Sequence, residues 1–312
     1  MWLGGGFWCG GPQGGWPGVA RWWVLAWLDR AMVRSVTGDL VQLAARFALR
    51  PTRLLQAGAG RATVQVRDEA GSVFVLKTAT APGALAGDVD ANRTLRAVGV
   101  PVPEIIAYRV GPPSVLLLRW IEGDPISSAS PVRTQREVGR MLRAVHTLPG
   151  APPFSGQPTV GAWIAAWTVE VAAWWPSVGA GDAQVRRLLD WLDELGPVLA
   201  ARQGRLTLFD GRAEHVLVRD GRVVGVIDLH DVGPGDPAMD LAVIGLTDDR
   251  LIPGVLNGYL AEHEQDAHLR SVIPFYLLLR RLAGAEWQLR NGSTADGTRL
   301  LRLAARQAAE VP

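Results

Sequence analysis

Hydrophobic positions follow two different periods along the chain, and the change falls near residue 123. Before it, apolar residues recur every second position in short stretches. "ATVQVR" and "SVFVLK", separated by "DEAGS", predict a β-hairpin, and "SVLLLRWI" predicts a buried strand after the extended "GVPVPEIIAYRV". Two segments depart from this period. "DVDANRTLRAV" is helical, and "TGDLVQLAARFALRP" sets Leu40, Leu43, Ala44 and Phe47 at helical spacing between a Thr cap and Pro51. Beyond Gly123 the spacing is mostly helical. "TQREVGRMLRAVHTL" gathers Val138, Met141, Leu142 and Val145 on one face. "VGAWIAAWTVEVAAWW", "DAQVRRLLDWLDELGPVLAARQG", "IPFYLLLRRLAGAEWQL" and "STADGTRLLRLAARQAA" read as further helices. The exception is "VLVRDGRVVGVID", a hairpin turned by Asp220-Gly221. The pattern predicts an α+β chain with a small β-rich lobe over 37–122 and a larger, mainly helical lobe over 123–312.

Residues 1–36 fit neither period. "MWLGGGFWCGGPQGGWPG" is rich in Gly and Trp, and the short helix in "VARWWVLAWLDRAMV" lacks the length of a membrane span and the flanks of a signal peptide. A poorly ordered tail is expected there, with a Trp-rich anchor for a surface or partner as the alternative.

Composition narrows the classes. The 312 residues are 48% hydrophobic and 20% charged, with a net charge of +2, so a sizeable core is expected and wholesale disorder is not. Basic and acidic residues are interspersed, which gives no case for a nucleic-acid partner. No apolar run approaches the roughly 18 residues of a membrane span. The single cysteine, Cys9, cannot form an internal disulfide, and a cytoplasmic location is expected. One residue count bears on chemistry: Lys77 is the only lysine in the chain. An ammonium is a compact point charge on a flexible stem, unlike a guanidinium.

The second hairpin organises the candidate chemistry. Its turn is expected to pair Val218 with Val223 and Leu217 with Val224. That pairing brings Asp228, at the end of one strand, close to His215 and Ala213 at the start of the other. The loop carrying Asp210 enters at the same end. Two carboxylates and an imidazole at one point suit phosphoryl transfer: one carboxylate to take the proton of an attacking hydroxyl, and hard ligands for a divalent cation. Lys77 ends the strand "VFVLK", and the following helix offers Asp88 or Asp90 as a partner, or as carboxylates favoured by the helix dipole. "GAGRAT", from Gly58 to Thr63, is expected to precede the first strand and fold over phosphates. It lacks the pattern of a P-loop ATPase.

Together these residues resemble the aminoglycoside phosphotransferase family of kinase-like small-molecule kinases, over about residues 37–305. The most specific segment is "FDGRAEHVLVRDGRVVGVIDLHDVGPGDPAMDLAVI". The resemblance implies a bilobal protein-kinase-like fold, ATP or GTP as phosphate donor, Mg²⁺ or Mn²⁺, and a small-molecule hydroxyl as acceptor. It implies Asp210 as catalytic base and His215 and Asp228 as metal ligands. For the nucleotide it implies Lys77 with Asp88, the Gly58–Gly60 turn, and a hinge at Leu118 to Glu122 that includes Arg119 and Ile121. Asp236 and Asp240 would brace the catalytic loop. Three positions depart from the family pattern. Leu208 stands for His, Phe209 for Gly, and His215 for Asn, the last being similar to the macrolide phosphotransferase branch. An imidazole suits Mn²⁺ better than Mg²⁺. These departures leave two readings at this stage, an active kinase and a nucleotide-binding pseudokinase. An interaction protein built on the Trp-rich tail is a third.

Overall fold

The computed structural model describes residues 44, 47–58, 60–260 and 267–310. The Gly/Trp-rich tail and most of the helix expected over 37–50 lie outside them. The chain divides into two compact units. Among the described residues, one takes in the chain up to Asn92 together with Pro103–Ile121. The other takes in Arg93–Val102 and the chain from Glu122 onward.

The first unit is built on a five-stranded antiparallel sheet. Its strands are β1 (Arg50–Gly58), β2 (Arg61–Arg67), β3 (Val73–Ala79), β4 (Ile105–Arg109) and β5 (Ser114–Arg119), in the order β1-β2-β3-β5-β4. β1 corrects the expectation that Gly58 to Thr63 precedes the first strand: this turn joins β1 to β2. β1 carries no alternating pattern, because its first five residues are exposed. Pairing with β2 holds it as a strand.

Elsewhere the period of two sorts side chains onto two faces. One face packs Val64, Val66, Phe74, Leu76, Val115 and Leu117 with Ala44 and Leu49. The other packs Ala79, Leu116 and Leu118 against Val89 of α1 (Ala86–Ala97) and against Leu85 just before it. β5 is buried on both faces, which is why it reads as a continuous apolar run; each such Leu or Val contributes about 1.5–3 kcal/mol. Lys77 lies opposite Leu116 in the ladder, so its side chain points to the α1 face.

The second unit is mainly helical. It contains α2 (Val132–His146), α3 (Val160–Trp174), α4 (Asp182–Ala200), α5 (Pro237–Val243), α6 (Ile252–Leu260), α7 (Ala267–Arg290) and α8 (Thr294–Glu310). Strands β6 (Asp124–Pro125), β8 (Val216–Arg219) and β9 (Arg222–Val226) form one small sheet. β7 (Arg205–Thr207) and β10 (Gly233–Gly235) form another. α2 and α6 pack backbone to backbone: a Cβ on Gly139 would collide with the Val255 carbonyl, and one on Gly258 with the Arg136 carbonyl. That close approach carries Tyr259 to His146, whose Nδ1 lies 3.0 Å from the Tyr259 hydroxyl. α7 carries buried Phe275, Tyr276, Leu278 and Leu279, and Arg280 and Arg281 beside them are also buried. No helix among the described residues is long and apolar enough to cross a membrane.

Candidate active site

The loop that follows β7 carries Asp210. β7 and β10 pair antiparallel and fix where it starts, with Thr207 opposite Gly233. Buried Leu208 and Phe209 come next, and their N–H groups donate to the two oxygens of Asp240, at 2.7 and 2.9 Å. Asp240 lies in the first turn of α5, which Asp236 caps by accepting from the Ala238 N–H, with Pro237 opening the helix. Asp236 is itself clamped by Arg202 at 2.9 and 2.7 Å and accepts from the Tyr276 hydroxyl.

Leu208 packs into the core where the family pattern has an imidazole, yet an imidazole is present. His146, from α2, places Nε2 3.0 Å from Asp240 Oδ2. Phe209 replaces a glycine and keeps glycine's backbone, with φ at +57°. Its ring meets Trp163 edge-on at 5.6 Å and lies over Gly235, where a Cβ would come within 2.5 Å of it. Packing holds a conformation that costs a bulky residue about 1–2 kcal/mol. The Phe209 carbonyl accepts from Arg280 Nη2 at 2.8 Å.

The β8–β9 hairpin delivers the other two residues. Its turn is the expected one, with φ of +53° at Asp220 and +72° at Gly221. Val218 pairs with Val223 as expected, but Leu217 pairs with Gly225 rather than Val224. A bulge at Val224 adds one residue to β9 and shifts the register. The convergence survives, because Ile227 N–H donates to the His215 carbonyl at 2.9 Å and Asp228 follows with φ at +60°. One ligand atom from each of Asp210, His215 and Asp228 lies within 4.8 Å of the others.

His215 Nδ1 lies 2.8 Å from the Asp210 carbonyl oxygen. A carbonyl only accepts, so Nδ1 carries the proton and the Nε2 lone pair is left for a metal or a donor. Asp210 Oδ1 is buried with no hydrogen-bond partner among the described residues. Two carboxylates, an orphaned carboxylate oxygen and an imidazole lone pair fit a divalent cation, and the nitrogen favours Mn²⁺ over Mg²⁺.

Three further residues act on this cluster. Arg212 sets Nε 3.2 Å from Asp210 Oδ1 and Nη2 3.4 Å from His215 Nε2. Asp231 has its carboxyl pushed up to about 6 by burial and by the charges of Asp210 and Asp228, against the opposing pull of His230 and Arg280. Burial brings the Arg280 guanidinium down to about 9, with Asp210, Asp231 and Asp240 resisting. Among the residues of this region that the sequence did not single out, Arg212 had a visible signal in its place two residues after Asp210. Arg280 and His146 had none, being brought in by helix packing.

The residues expected around the nucleotide belong to the other compact unit. Lys77 Nζ lies 2.9 Å from Asp88 Oδ1 and is mostly buried with it; Asp88, not Asp90, makes this pair. Gly60 has φ at +73°, and a Cβ there would fall 2.6 Å from Thr80 Oγ1, while Gly58 is the exposed last residue of β1. Leu118 is buried in β5 against α1. The Arg119 N–H donates to the Glu104 carbonyl and the Trp120 N–H to the Val73 carbonyl. The Arg119 side chain pairs with Glu104 over the Phe74 ring. Among the described residues no backbone carbonyl takes the N–H of Ile121.

A sequence profile of the phosphotransferase enzyme family, APH, matches residues 51–275. None of the curated proteins matches by sequence. Solved structures similar in fold include a macrolide 2'-phosphotransferase, MphH, from Brachybacterium faecium. It is 19% identical over 88% of this chain and 98% of that one, with a TM-score of 0.60. A thermostable mutant of aminoglycoside phosphotransferase APH(4)-Ia, in ternary complex with ADP and hygromycin B, is 17% identical. It covers 88% of this chain and 98% of its own, with a TM-score of 0.62. Macrolide 2'-phosphotransferase type I is 18% identical over 89% and 97%, with a TM-score of 0.62.

Proposed function

This chain belongs to the phosphotransferase enzyme family, and from that membership we propose that it moves the γ-phosphate of ATP or GTP to a hydroxyl of a small molecule, with Asp210 as base. The observation that carries the reading is the convergence of Asp210, His215 and Asp228 on one point. Asp210 is held from beneath through the Asp240-bound N–H groups of Leu208 and Phe209, so its carboxylate is fixed in place. It accepts the proton of the attacking hydroxyl. His215 Nε2 and Asp228 would hold a divalent cation. When bound, the cation neutralises phosphate charge.

Lys77, fixed by Asp88, contacts the nucleotide phosphates, and the Ile121 N–H, which no backbone carbonyl takes among the described residues, lines the place of the base together with Leu118. Arg119 is occupied with Glu104 and contributes backbone only. Gly58 and Gly60 keep the β1–β2 turn small over the phosphates. The similarity to a structure that holds ADP and hygromycin B supports nucleotide use and a small-molecule acceptor. The apolar side chains of 159–175, with Trp163 stacked on Trp167, favour an acceptor of low charge. A cytoplasmic setting fits ATP or GTP as donor.

Turnover of ATP and GTP against a panel of macrolides, aminoglycosides and simpler polyols, with Mg²⁺ or Mn²⁺, tests the reading. Asp210→Asn is expected to lower kcat by about 10²–10⁴-fold on whichever acceptor is used. Unchanged phosphorylation by that variant would overturn the base assignment.

A further inference from the structure

We propose that Arg212 is a catalytic residue that binds the phosphoryl group in transfer, and that Asp210 holds it in reserve until the nucleotide arrives. The inference rests on the phosphotransfer reading above. Three observations carry it.

The first is contact. The guanidinium touches both oxygens of Asp210, with Nε 3.2 Å from Oδ1 and Nη2 3.3 Å from Oδ2, and Nη2 also faces His215 Nε2. It therefore stands among the groups that act on the reacting atoms.

The second is the quality of that contact. Arg212 Nε and Asp210 Oδ1 are both buried, and neither makes a hydrogen bond among the described residues, although they lie 3.2 Å apart. The pair is close but misaligned. Leaving a buried charged donor and acceptor unsatisfied costs about 1–3 kcal/mol each, so a better acceptor can draw the guanidinium away. A phosphoryl group is such an acceptor, since its oxygens match the guanidinium fork.

The third is the balance of charge. Asp210, Asp228 and Asp231 bring three carboxylates to the place where a polyanionic nucleotide must come. Two guanidiniums act on this cluster. Arg280 is fully buried and donates to the Phe209 carbonyl. The Arg212 side chain keeps 16% of its surface exposed and is tied to the site's own groups. Its Nη2 also faces His215 Nε2 at 3.4 Å.

In the transfer the acceptor oxygen forms a bond to the γ-phosphorus while the bond from that phosphorus to the β–γ bridging oxygen breaks. The electron pair of the broken bond stays on the ADP oxygen, and the acceptor's proton passes to Asp210. Arg212 donates N–H groups to the non-bridging γ-oxygens and changes no bond of its own. Its departure frees the carboxylate lone pairs of Asp210 for the incoming proton. The γ-phosphate thus clears the base that it needs.

Calorimetric titration of the full chain with ATP and with ADP, each with Mn²⁺, separates this role from a structural one. Arg212→Ala is expected to weaken ATP binding by about 10- to 100-fold and leave ADP binding nearly unchanged. It is also expected to lower kcat by about 10³-fold at unchanged acceptor KM, with Arg212→Lys recovering part of both effects. The lysine variant keeps the cation should the alanine variant fold poorly. Equal weakening of ATP and ADP, an intact preference for ATP, or a preserved kcat overturns the role of Arg212 and leaves the phosphotransfer reading standing. A wild-type chain that binds neither nucleotide overturns that reading, and the role of Arg212 with it.

Discussion

The two sides of the Asp210 loop differ in how completely their polar groups are paired. On the supporting side, Asp240 accepts from two backbone N–H groups and a His146 nitrogen, and His146 accepts from the Tyr259 hydroxyl. On the reacting side, Asp210 Oδ1 and Arg212 Nε are buried with no hydrogen-bond partner among the described residues. Buried polar networks are stiff when satisfied and costly when not. The difference teaches where stability and chemistry reside in one short loop. The paired side fixes the backbone, and the unpaired side keeps donors and acceptors in hand for a ligand.

The sharpest way to break this comparison is at Asp240. Asp240→Ala strands two loop N–H groups and an imidazole in the interior, and is expected to cost about 3–5 kcal/mol, read by urea unfolding. A loss below about 1 kcal/mol would mean that the loop is held elsewhere. Phe209→Gly sets two effects against each other. Removing the ring leaves a cavity beside Trp163 and Gly235, for which large-to-small changes cost about 3–5 kcal/mol. Glycine relieves the positive φ, which recovers about 1–2 kcal/mol. Net destabilisation of about 2 kcal/mol is expected, and a stabilised variant would show that strain outweighs packing. His146→Gln comes third, at about 1–2 kcal/mol, because it disturbs one hydrogen-bond chain and leaves the Asp240-to-backbone bonds in place. Its transfer rate is expected to fall with the stability of the loop, so unchanged kcat and unfolding together would remove His146 from the support.

How much of this the sequence disclosed depends on how local each interaction is. The ion pair of Lys77 was legible down to a choice between Asp88 and Asp90, because both stand in the helix that directly follows its strand, and the resemblance to the family favoured Asp88. The meeting of Asp228 with His215 was legible because Asp220-Gly221 fixes a tight turn. It tolerated the bulge at Val224, which no residue type announced. β1 was not legible, since a largely exposed strand carries no alternation and owes its existence to β2. The replacement of the loop imidazole was not legible either. Leu208 reads as a loss until α2 is seen to set His146 against Asp240 of α5, with the close packing of α2 on α6 at Gly139 and Gly258 placing Tyr259 on its other ring nitrogen. Arg212 was overlooked for a different reason: its position was plain, but a loop guanidinium can point anywhere until the backbone is known.

Asp231 gives the smallest expected effect and the one that depends on pH. Its carboxyl titrates near 6 in the folded chain against an ordinary value of 3.8, because burial and the charges of Asp210 and Asp228 oppose ionisation. The folded state therefore holds this proton more tightly than the unfolded state. The stability that the group contributes is fully present below the unfolded value of 3.8 and is lost as pH rises through the folded value near 6. Above that the penalty is constant. The side chain is only partly buried, so water screens the charge and the loss is about 1 kcal/mol. Asp231→Asn removes the titration, and is expected to be more stable than wild type by about that amount at neutral pH, with the advantage shrinking as pH falls toward 4. Urea unfolding of both proteins across this window checks it. An advantage that does not change with pH would mean that the reacting-side carboxylates do not press on Asp231, and that the crowding of negative charge which Arg212 and a cation are placed to relieve is weaker than the geometry indicates.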